Sequence, residues 1–298
     1  MRITRRAAIA GSIALASAAC VPVDPSPRGR LAARLRIIEA AAGGMLGVAL
    51  LDTDSGAIIG HNRAERFGHC SSFKLTLAAM VLWRDQQGID DADRLVRWRE
   101  SDLMSVSPFT TRRLVQGASL RELAKATQTT SDNAAANVLL RETGGPAAVT
   151  EFWRMLGDNA SRLDRIEPEL NQVPPGELRD TTTPEAMART VQALCFGSTL
   201  LDEPRALLRQ WMVETGTGSR RVRAGLPTGW LAGDKTGTSI WPGMGSLYVD
   251  IGFAQPPGRA PLTFATYYRA RDVHEGMDPV SEQVLAEVGR VLADFAAG

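Results

Sequence analysis

The sequence has few of the side chains that bind metal ions, and it carries almost no net charge. Its three cysteines and three histidines are scattered, without metal-ligand spacing, so a zinc hydrolase is not expected. The formal net charge of +1 comes without a basic run beyond the first residues, which argues against a nucleic-acid partner. There are no internal repeats or low-complexity tracts, and the 44% hydrophobic and 22% charged residues are typical of a soluble globular protein.

The first 20 residues have the features of an export signal. Arg5 and Arg6 precede the apolar run Ala7–Ala19, which is too short to span a bilayer. The adjacent arginines predict the twin-arginine route, and an ordinary secretory signal is the alternative. Cys20 offers a lipoprotein acceptor, although the residue three positions before it is not the usual large aliphatic one. We therefore predict an exported protein, periplasmic or secreted, that loses residues 1–20, with lipid anchoring at Cys20 as the weaker alternative.

Cysteine is too scarce beyond this signal to form a disulfide framework. Only Cys70 and Cys195 remain in the body of the chain. An oxidising compartment permits a bridge between them, but two cysteines do not define a disulfide scaffold. We therefore predict two buried free thiols.

Hydrophobic patterning separates the two ends of the chain from its middle. A Pro-rich linker is predicted at 21–29, followed by helical spacing of apolar residues. A hairpin pattern comes next, then a long and mostly helical stretch, then a return of strand patterns and a closing amphipathic helix. The predicted segments are a helix at 30–42, the hairpin at 45–60, the helical stretch at 71–212, strands at 230–236, 247–253 and 261–268, and the last helix at 280–295.

This order predicts a mixed α/β (α+β) fold, because strands come from both ends of the chain. The simplest assembly is one antiparallel sheet flanked by the terminal helices, with an all-α lobe inserted between its second and third strands. The α/β lobe then comprises 30–62 and 213–298, and the all-α lobe comprises 63–212. A cleft between two lobes is a common place for a ligand site.

Three short motifs carry residues suited to nucleophilic chemistry. Ser71-Ser72-Phe73-Lys74 opens an apolar helical run, and its i, i+3 spacing places a hydroxyl and an amine on one helix face. Ser-Asp-Asn at 131–133 precedes another helix, where a helix cap is the plain alternative. Lys-Thr-Gly at 235–237 ends a predicted strand. Each motif occurs by chance in unrelated chains, but the three together, in this order, are hard to dismiss.

The set of three motifs resembles the signature of class A serine β-lactamases and penicillin-binding proteins. The segment from Arg162 to Asn171 is similar to the omega-loop of class A enzymes, which would span 162–180 here. Arg165 and Asp180 fall where that loop has its closing salt bridge. The resemblance covers roughly residues 31–296, and it implies the β-lactamase/penicillin-binding-protein-like fold with the active site between the lobes.

The resemblance implies a catalytic role for six residues. Ser71 would attack the β-lactam carbonyl, with the backbone N–H groups of Ser71 and Thr238 as the oxyanion hole. Lys74, or Glu167 through a water, would take the serine proton, and the choice between them stays open. Ser131 would pass a proton to the leaving nitrogen. Glu167 would act in deacylation, and Lys235 would supply positive charge near the substrate carboxylate. The implied catalytic set is Ser71, Lys74, Ser131, Glu167, Asn171 and Lys235.

The substrate-binding residues are also implied by the resemblance, and one of them would take the place of an arginine that this sequence lacks. Many members have an arginine on the strand after Lys-Thr-Gly, but the stretch 244–248 has none. Arg220 and Arg221 precede the site, and a subgroup of the family uses an arginine there to hold the substrate carboxylate. Val106 also departs from the family, since many members have an aromatic residue at that cleft edge. The implied binding set is Asn133, Thr236, Gly237, Thr238 and Arg221.

Glu167 separates the related activities that the motifs allow. A DD-peptidase-type penicillin-binding protein, or a non-hydrolysing β-lactam receptor domain, shares the Ser-x-x-Lys and Lys-Thr-Gly motifs but has no such loop carboxylate. The prediction is therefore a β-lactamase that hydrolyses penicillins and cephalosporins through an acyl-enzyme. The resemblance implies a monomer that needs no metal or organic cofactor, takes a small-molecule β-lactam as its partner, and has no membrane span.

Overall fold

The computed structural model describes residues 26–297, so the predicted signal 1–20 and most of the predicted linker lie outside the described residues. The helices are α1 (Pro27–Ala42), α2 (Phe73–Gln86), α3 (Pro108–Arg112), α4 (Leu120–Thr129), α5 (Asn133–Thr143), α6 (Gly145–Met155), α7 (Pro184–Cys195), α8 (Asp202–Glu214) and α9 (Pro279–Ala297). The strands are β1 (Met45–Asp52), β2 (Ile58–His61), β3 (Phe67–Gly68), β4 (Leu95–Val96), β5 (Ala118–Ser119), β6 (Thr181–Thr182), β7 (Leu231–Ser239), β8 (Leu247–Gln255) and β9 (Leu262–Arg269).

The main sheet has five antiparallel strands in the order β2-β1-β9-β8-β7. Its central pairing joins the two ends of the chain, since Met45 of β1 lies opposite Arg269 of β9. The predicted antiparallel sheet built from both ends is confirmed. The helical region enters this sheet between β2 and β7, as predicted from the order of the patterns.

The first helix begins earlier than the sequence pattern indicated. Pro27 is its first residue, so residues 27–29 are helical although they fall within the predicted linker 21–29. Two local features explain this start. The side chain of Ser26 accepts a hydrogen bond from the Gly29 N–H at 3.0 Å, and the fixed φ of proline suits the first helical position.

Helices cover both faces of the sheet and enclose two hydrophobic cores. On one face α9 packs against β9 and β1 with a buried apolar stripe, and α1 packs against α9. On the other face α7 packs against β9 and β1. Helix α2 is the centre of the helical region, because every residue from Phe73 to Leu82 is buried and α4, α5, α6 and α8 contact it. A buried helix of this kind holds its first turn rigidly, and that turn carries Lys74.

Two pairs of two-residue strands were not predicted, and one pair positions the site. Strand β3 pairs with β6, so Phe67 lies opposite Thr182 and Gly68 lies opposite Thr181. The backbone N–H of His69 also donates to the Asp180 carbonyl at 2.9 Å. The segment that leads into Ser71 is therefore tied to the end of the predicted omega-loop.

Within residues 26–297, both cysteines are buried and unpaired, as predicted for Cys70 and Cys195. No helix in this range is long and apolar enough to cross a membrane. The same range contains no group of three His, Cys, Asp or Glu side chains placed to hold a metal ion.

Candidate active site

Ser71 lies in a short 3-10 turn, Cys70–Ser72, that leads directly into α2. Cys70 has φ of 46°, a left-handed conformation that costs energy for a residue with a side chain. Strand β7 lies close beside this turn. A Cβ added at Gly237 would come within 2.8 Å of the Cys70 Cβ and 3.0 Å of the Ser71 backbone nitrogen, so only glycine allows this approach.

Lys74 contacts two of the three sequence motifs and also Glu167. Its Nζ lies 2.9 Å from the Ser71 Oγ and 2.9 Å from Oε1 of Glu167. The same nitrogen donates to the Ser131 carbonyl oxygen at 3.0 Å and to Oδ1 of Asn133 at 2.5 Å. The Lys74 side chain has no exposed surface. A buried ammonium is costly unless it is paired and hydrogen-bonded, and here it is both.

Glu167 is buried, and its carboxylate is directed at Ser71. One oxygen lies 3.4 Å from the Ser71 Oγ, and the other accepts a 2.6 Å hydrogen bond from Nδ2 of Asn171. Arg165 and Asp180 pair at 2.5 Å across the base of the loop, as the resemblance implied. Asp180 also accepts the backbone N–H groups of residues 164 and 165, so this end of the loop is fixed.

Asn137 is a site residue that sequence reasoning missed. Its Oδ1 accepts the Glu167 N–H at 3.0 Å, and its Nδ2 donates to the Glu167 carbonyl at 2.8 Å. It therefore clamps the backbone of Glu167 from α5. The available signal was its position, one helical turn after Asn133 on the same face.

Ser131 and Lys235 face each other across the predicted cleft. Nζ of Lys235 lies 3.2 Å from the Ser131 Oγ, which in turn is 3.4 Å from Nζ of Lys74. Burial and the positive charge of Lys74 lower the pKa of Lys235 to about 7. Ser131 has φ of 58°, a second left-handed residue at the site. One hydroxyl thus bridges two amines, which suits it to relay a proton.

Arg221 is placed beside the motif strand, but it is not open to the cleft. Its Nη1 donates to the carbonyls of Gly237, at 2.8 Å, and Val249, at 2.6 Å. Its Nη2 donates to the Thr238 Oγ1 at 2.7 Å, and its Nε lies 3.4 Å from Glu282. Only 1% of its surface is exposed, whereas 69% of the Arg220 side chain is exposed.

The remaining predicted residues complete one wall of the site. Thr236 is buried, and its hydroxyl lies 2.6 Å from that of Thr217, a contact that the sequence did not indicate. Ser239 donates to the Asn171 carbonyl at 2.7 Å, which joins β7 to the predicted omega-loop. The structure thus brings all eleven predicted site residues to one region of the fold.

This geometry contains the parts of a serine acyl-transfer site. A hydroxyl lies within hydrogen-bond distance of an amine and close to a carboxylate, and a second hydroxyl and a second amine lie next to them. The class of protein that the fold and the site define is therefore a serine hydrolase built between a sheet and a helical region.

Comparison with known proteins narrows this class to a family. The model of the "Beta-lactamase enzyme family" matches residues 30–296. A carbapenem-hydrolysing β-lactamase KPC from Klebsiella oxytoca is 42% identical over 257 residues, 86% of each chain. β-Lactamase CTX-M-8 from Citrobacter amalonaticus is 40% identical, covering 88% of this chain and 87% of that protein. An ancestral class A β-lactamase structure has a TM-score of 0.84 and 45% identity, covering 89% of this chain and 99% of that one.

The chain belongs to the β-lactamase enzyme family, as a class A enzyme that hydrolyses β-lactams. The predicted family, fold class and enzyme type are confirmed.

Proposed function

We propose that hydrolysis proceeds through an ester on Ser71, and the observation that carries this proposal is the position of the Lys74 Nζ. The Ser71 Oγ attacks the β-lactam carbonyl carbon as its proton leaves for the pair formed by Lys74 and Glu167. These two groups act as one proton-accepting unit, because the atoms that share the proton are 2.9 Å apart. The backbone N–H groups of Ser71 and Thr238 would hold the oxyanion.

Ring opening then requires a proton on the departing nitrogen. The Ser131 hydroxyl supplies it and is reprotonated from Lys74, whose Nζ is 3.4 Å away. Lys235, 3.2 Å from the same hydroxyl, contributes positive charge near the substrate carboxylate. Asn133 contributes to binding of the acylamido side chain and also accepts from Lys74.

Release of the acyl group uses Glu167 as the base for an attacking water. Asn171 holds one carboxylate oxygen at 2.6 Å, which leaves the oxygen facing Ser71 to orient the water toward the ester. The proton gained by Glu167 passes back through Lys74 to the Ser71 Oγ, which regenerates the free enzyme.

The substrate carboxylate is held by Lys235, Thr236 and Thr238, with Arg221 acting through Thr238. Nη2 of Arg221 donates to the Thr238 Oγ1, so the hydroxyl hydrogen of Thr238 stays available for another acceptor. A carboxylate in the cleft is such an acceptor. Arg221 therefore orients a donor and adds positive charge without leaving its buried position.

Penicillins and cephalosporins are the proposed substrates, and the proposed site of action is outside the cytoplasm. Export rests on the N-terminal sequence alone: the arginine pair, the short apolar run and the small residues before Cys20. The proposed mature protein is a monomer without a membrane span, with lobes bounded at 62/63 and 212/213.

One experiment tests the proposed chemistry. The purified enzyme should hydrolyse benzylpenicillin and, by intact mass at steady state, be mostly unmodified. Glu167→Ala should accumulate a penicillin adduct that lasts for minutes, because a positioned base contributes about 10²- to 10⁴-fold. Peptide mapping should place the adduct on Ser71, and Ser71→Ala should give none.

Other results would change the proposal. Labelling of Ser131 in place of Ser71 would overturn the nucleophile. A lasting adduct on the unmodified enzyme would favour slow release, as in a receptor or peptidase. Turnover by Glu167→Ala at the normal rate would remove the base role from Glu167.

A further inference from the structure

We propose that Tyr248 is a positioning residue for the substrate carboxylate, and that it acts by supporting Arg221 with its ring. This inference rests on the proposed function, in which Arg221 orients the Thr238 hydroxyl. Tyr248 belongs to the stretch that lacks the strand arginine of many relatives. Its ring lies against the guanidinium of Arg221, one of the predicted substrate-binding residues, so its effect on the substrate would pass through that group.

Tyr248 is fully buried on β8, directly opposite Thr238 of β7 in the strand register. Its aromatic ring lies beside Arg221, with 5.7 Å between the guanidinium carbon and the ring centroid. A cation this close to an aromatic face is attracted by the ring quadrupole, and the attraction is stronger in a buried site. The ring therefore favours one placement of the guanidinium.

The hydrogen bonds of Arg221 depend on this placement of the guanidinium. Its donors reach the carbonyls of Gly237 and Val249 and the hydroxyl of Thr238. All three acceptors lie on β7 or β8. A guanidinium that moves away from these acceptors loses this geometry, and the Thr238 hydroxyl then loses its fixed donor. Thr238 would become free to turn its hydrogen away from the cleft.

The hydroxyl of Tyr248 makes a second and separate link to the same arginine. It lies 2.8 Å from Nδ1 of His274 and accepts the Asp278 N–H at 3.0 Å. Asp278 caps the start of α9, since its carboxylate accepts the Ser281 N–H at 2.9 Å. The first turn of α9 carries Glu282, whose Oε1 is 3.4 Å from the Arg221 Nε.

Two substitutions separate the ring from the hydroxyl. Tyr248→Phe keeps the ring and removes the link to α9, whereas Tyr248→Leu removes both. We expect Tyr248→Phe to keep KM for benzylpenicillin within about threefold. Tyr248→Leu should raise KM about tenfold with kcat changed less than about threefold, the pattern of lost uniform binding. Tyr248→Met gives the same test if the leucine variant does not fold, because methionine adapts to irregular space.

The matched control is Tyr268→Leu. Tyr268 is a buried tyrosine on β9, opposite Tyr248 in the register, and its hydroxyl donates to the Ala42 carbonyl. This variant should lower Tm without raising KM. Each tyrosine variant is also made together with Glu167→Ala. The fraction of that protein converted to penicillin adduct gives the fraction of active enzyme, and all rates are divided by it.

A double-mutant cycle decides whether Tyr248 acts through Arg221. Arg221→Ala alone should raise KM, and adding Tyr248→Leu should raise it no further, because the two changes remove one interaction. Additive effects, or an unchanged KM in Tyr248→Leu beside a raised KM in Arg221→Ala, would overturn the positioning role and leave the role of Arg221 standing. An unchanged KM in Arg221→Ala would overturn both the proposed role of Arg221 and the positioning role of Tyr248.

Discussion

Oδ1 of Asn133 lies 2.5 Å from the Nζ of Lys74, and the Nδ2 of the same amide donates to the Ser105 carbonyl at 3.0 Å. Both ends of the amide are therefore engaged with the protein. Asn133 holds Lys74, the proposed catalytic lysine, in addition to its proposed contact with the acylamido side chain.

The two roles of Asn133 predict how Asn133→Ala changes kcat/KM for different substrates. The variant should lose about 10- to 100-fold in kcat/KM for benzylpenicillin, since a hydrogen bond to a charged group is removed. It should lose a similar factor for 6-aminopenicillanic acid, which has no acyl side chain. Steady-state kinetics on both substrates measures this. A loss confined to benzylpenicillin would mean that Asn133 serves the substrate alone.

The lowered pKa of Lys235, about 7, predicts an alkaline limb in the pH profile. The free enzyme loses the Lys235 charge as the pH rises through 7, so kcat/KM for penicillins should fall above that pH. Lys235→Arg should move this limb upward by more than about one pH unit, because a guanidinium stays protonated. A wild-type profile that is flat to pH 9 would contradict the role of the Lys235 charge.

The contacts of Asn137 with Glu167 predict that its loss slows deacylation but not acylation. Because it holds both backbone groups of Glu167, Asn137→Ala should slow deacylation by roughly tenfold or more and leave acylation nearly unchanged. Rapid-quench mass spectrometry would show normal formation of the adduct and delayed loss. Gln86→Ala, which removes an amide that holds the Thr199 carbonyl and the Leu201 N–H away from the site, is the control for general destabilisation. Equal slowing of both steps would argue against a specific clamp.

The burial of His69 predicts that the free energy of unfolding falls in acid. Burial lowers its pKa to about 4, and its ring stacks on Trp153 with centroids 4.6 Å apart. The native ring stays neutral while the unfolded ring takes up a proton below pH 6.5, so the free energy of unfolding should fall between pH 6.5 and 4, by about 3 kcal/mol. His69→Phe keeps the stacked ring and should remove this part of the decline in urea denaturation. Parallel declines for both proteins would exclude His69 as the cause.

Much of this site followed from sequence because its residues fall in short motifs whose local structure is strongly determined. The spacing of Ser71 and Lys74 needs only one turn of helix, and Lys235 to Thr238 needs only one strand. The sheet was predictable for a similar reason, since alternating apolar residues mark its long strands.

Other parts depend on distant contacts that no local pattern encodes. Asn137 was missed because its role requires the omega-loop to fold back on α5. The two-residue strands β3 and β6 are too short for any periodicity. The burial of Arg221 was also not predictable from the sequence, because charged side chains are mostly exposed and its backbone acceptors lie on two strands that follow it in the chain.

The pairing of β1 with β9 has a consequence for how the protein is made. More than 200 residues separate these two strands in the sequence. One edge of β1 therefore has no partner strand during most of the synthesis of the chain. Contacts this distant in sequence slow folding, and an unpaired apolar strand is a template for aggregation. The sheet closes only after β9 is released from the ribosome. Fragments that end anywhere in the helical region therefore lack a native partner for β1, and they should be degraded or aggregate rather than accumulate as a folded half.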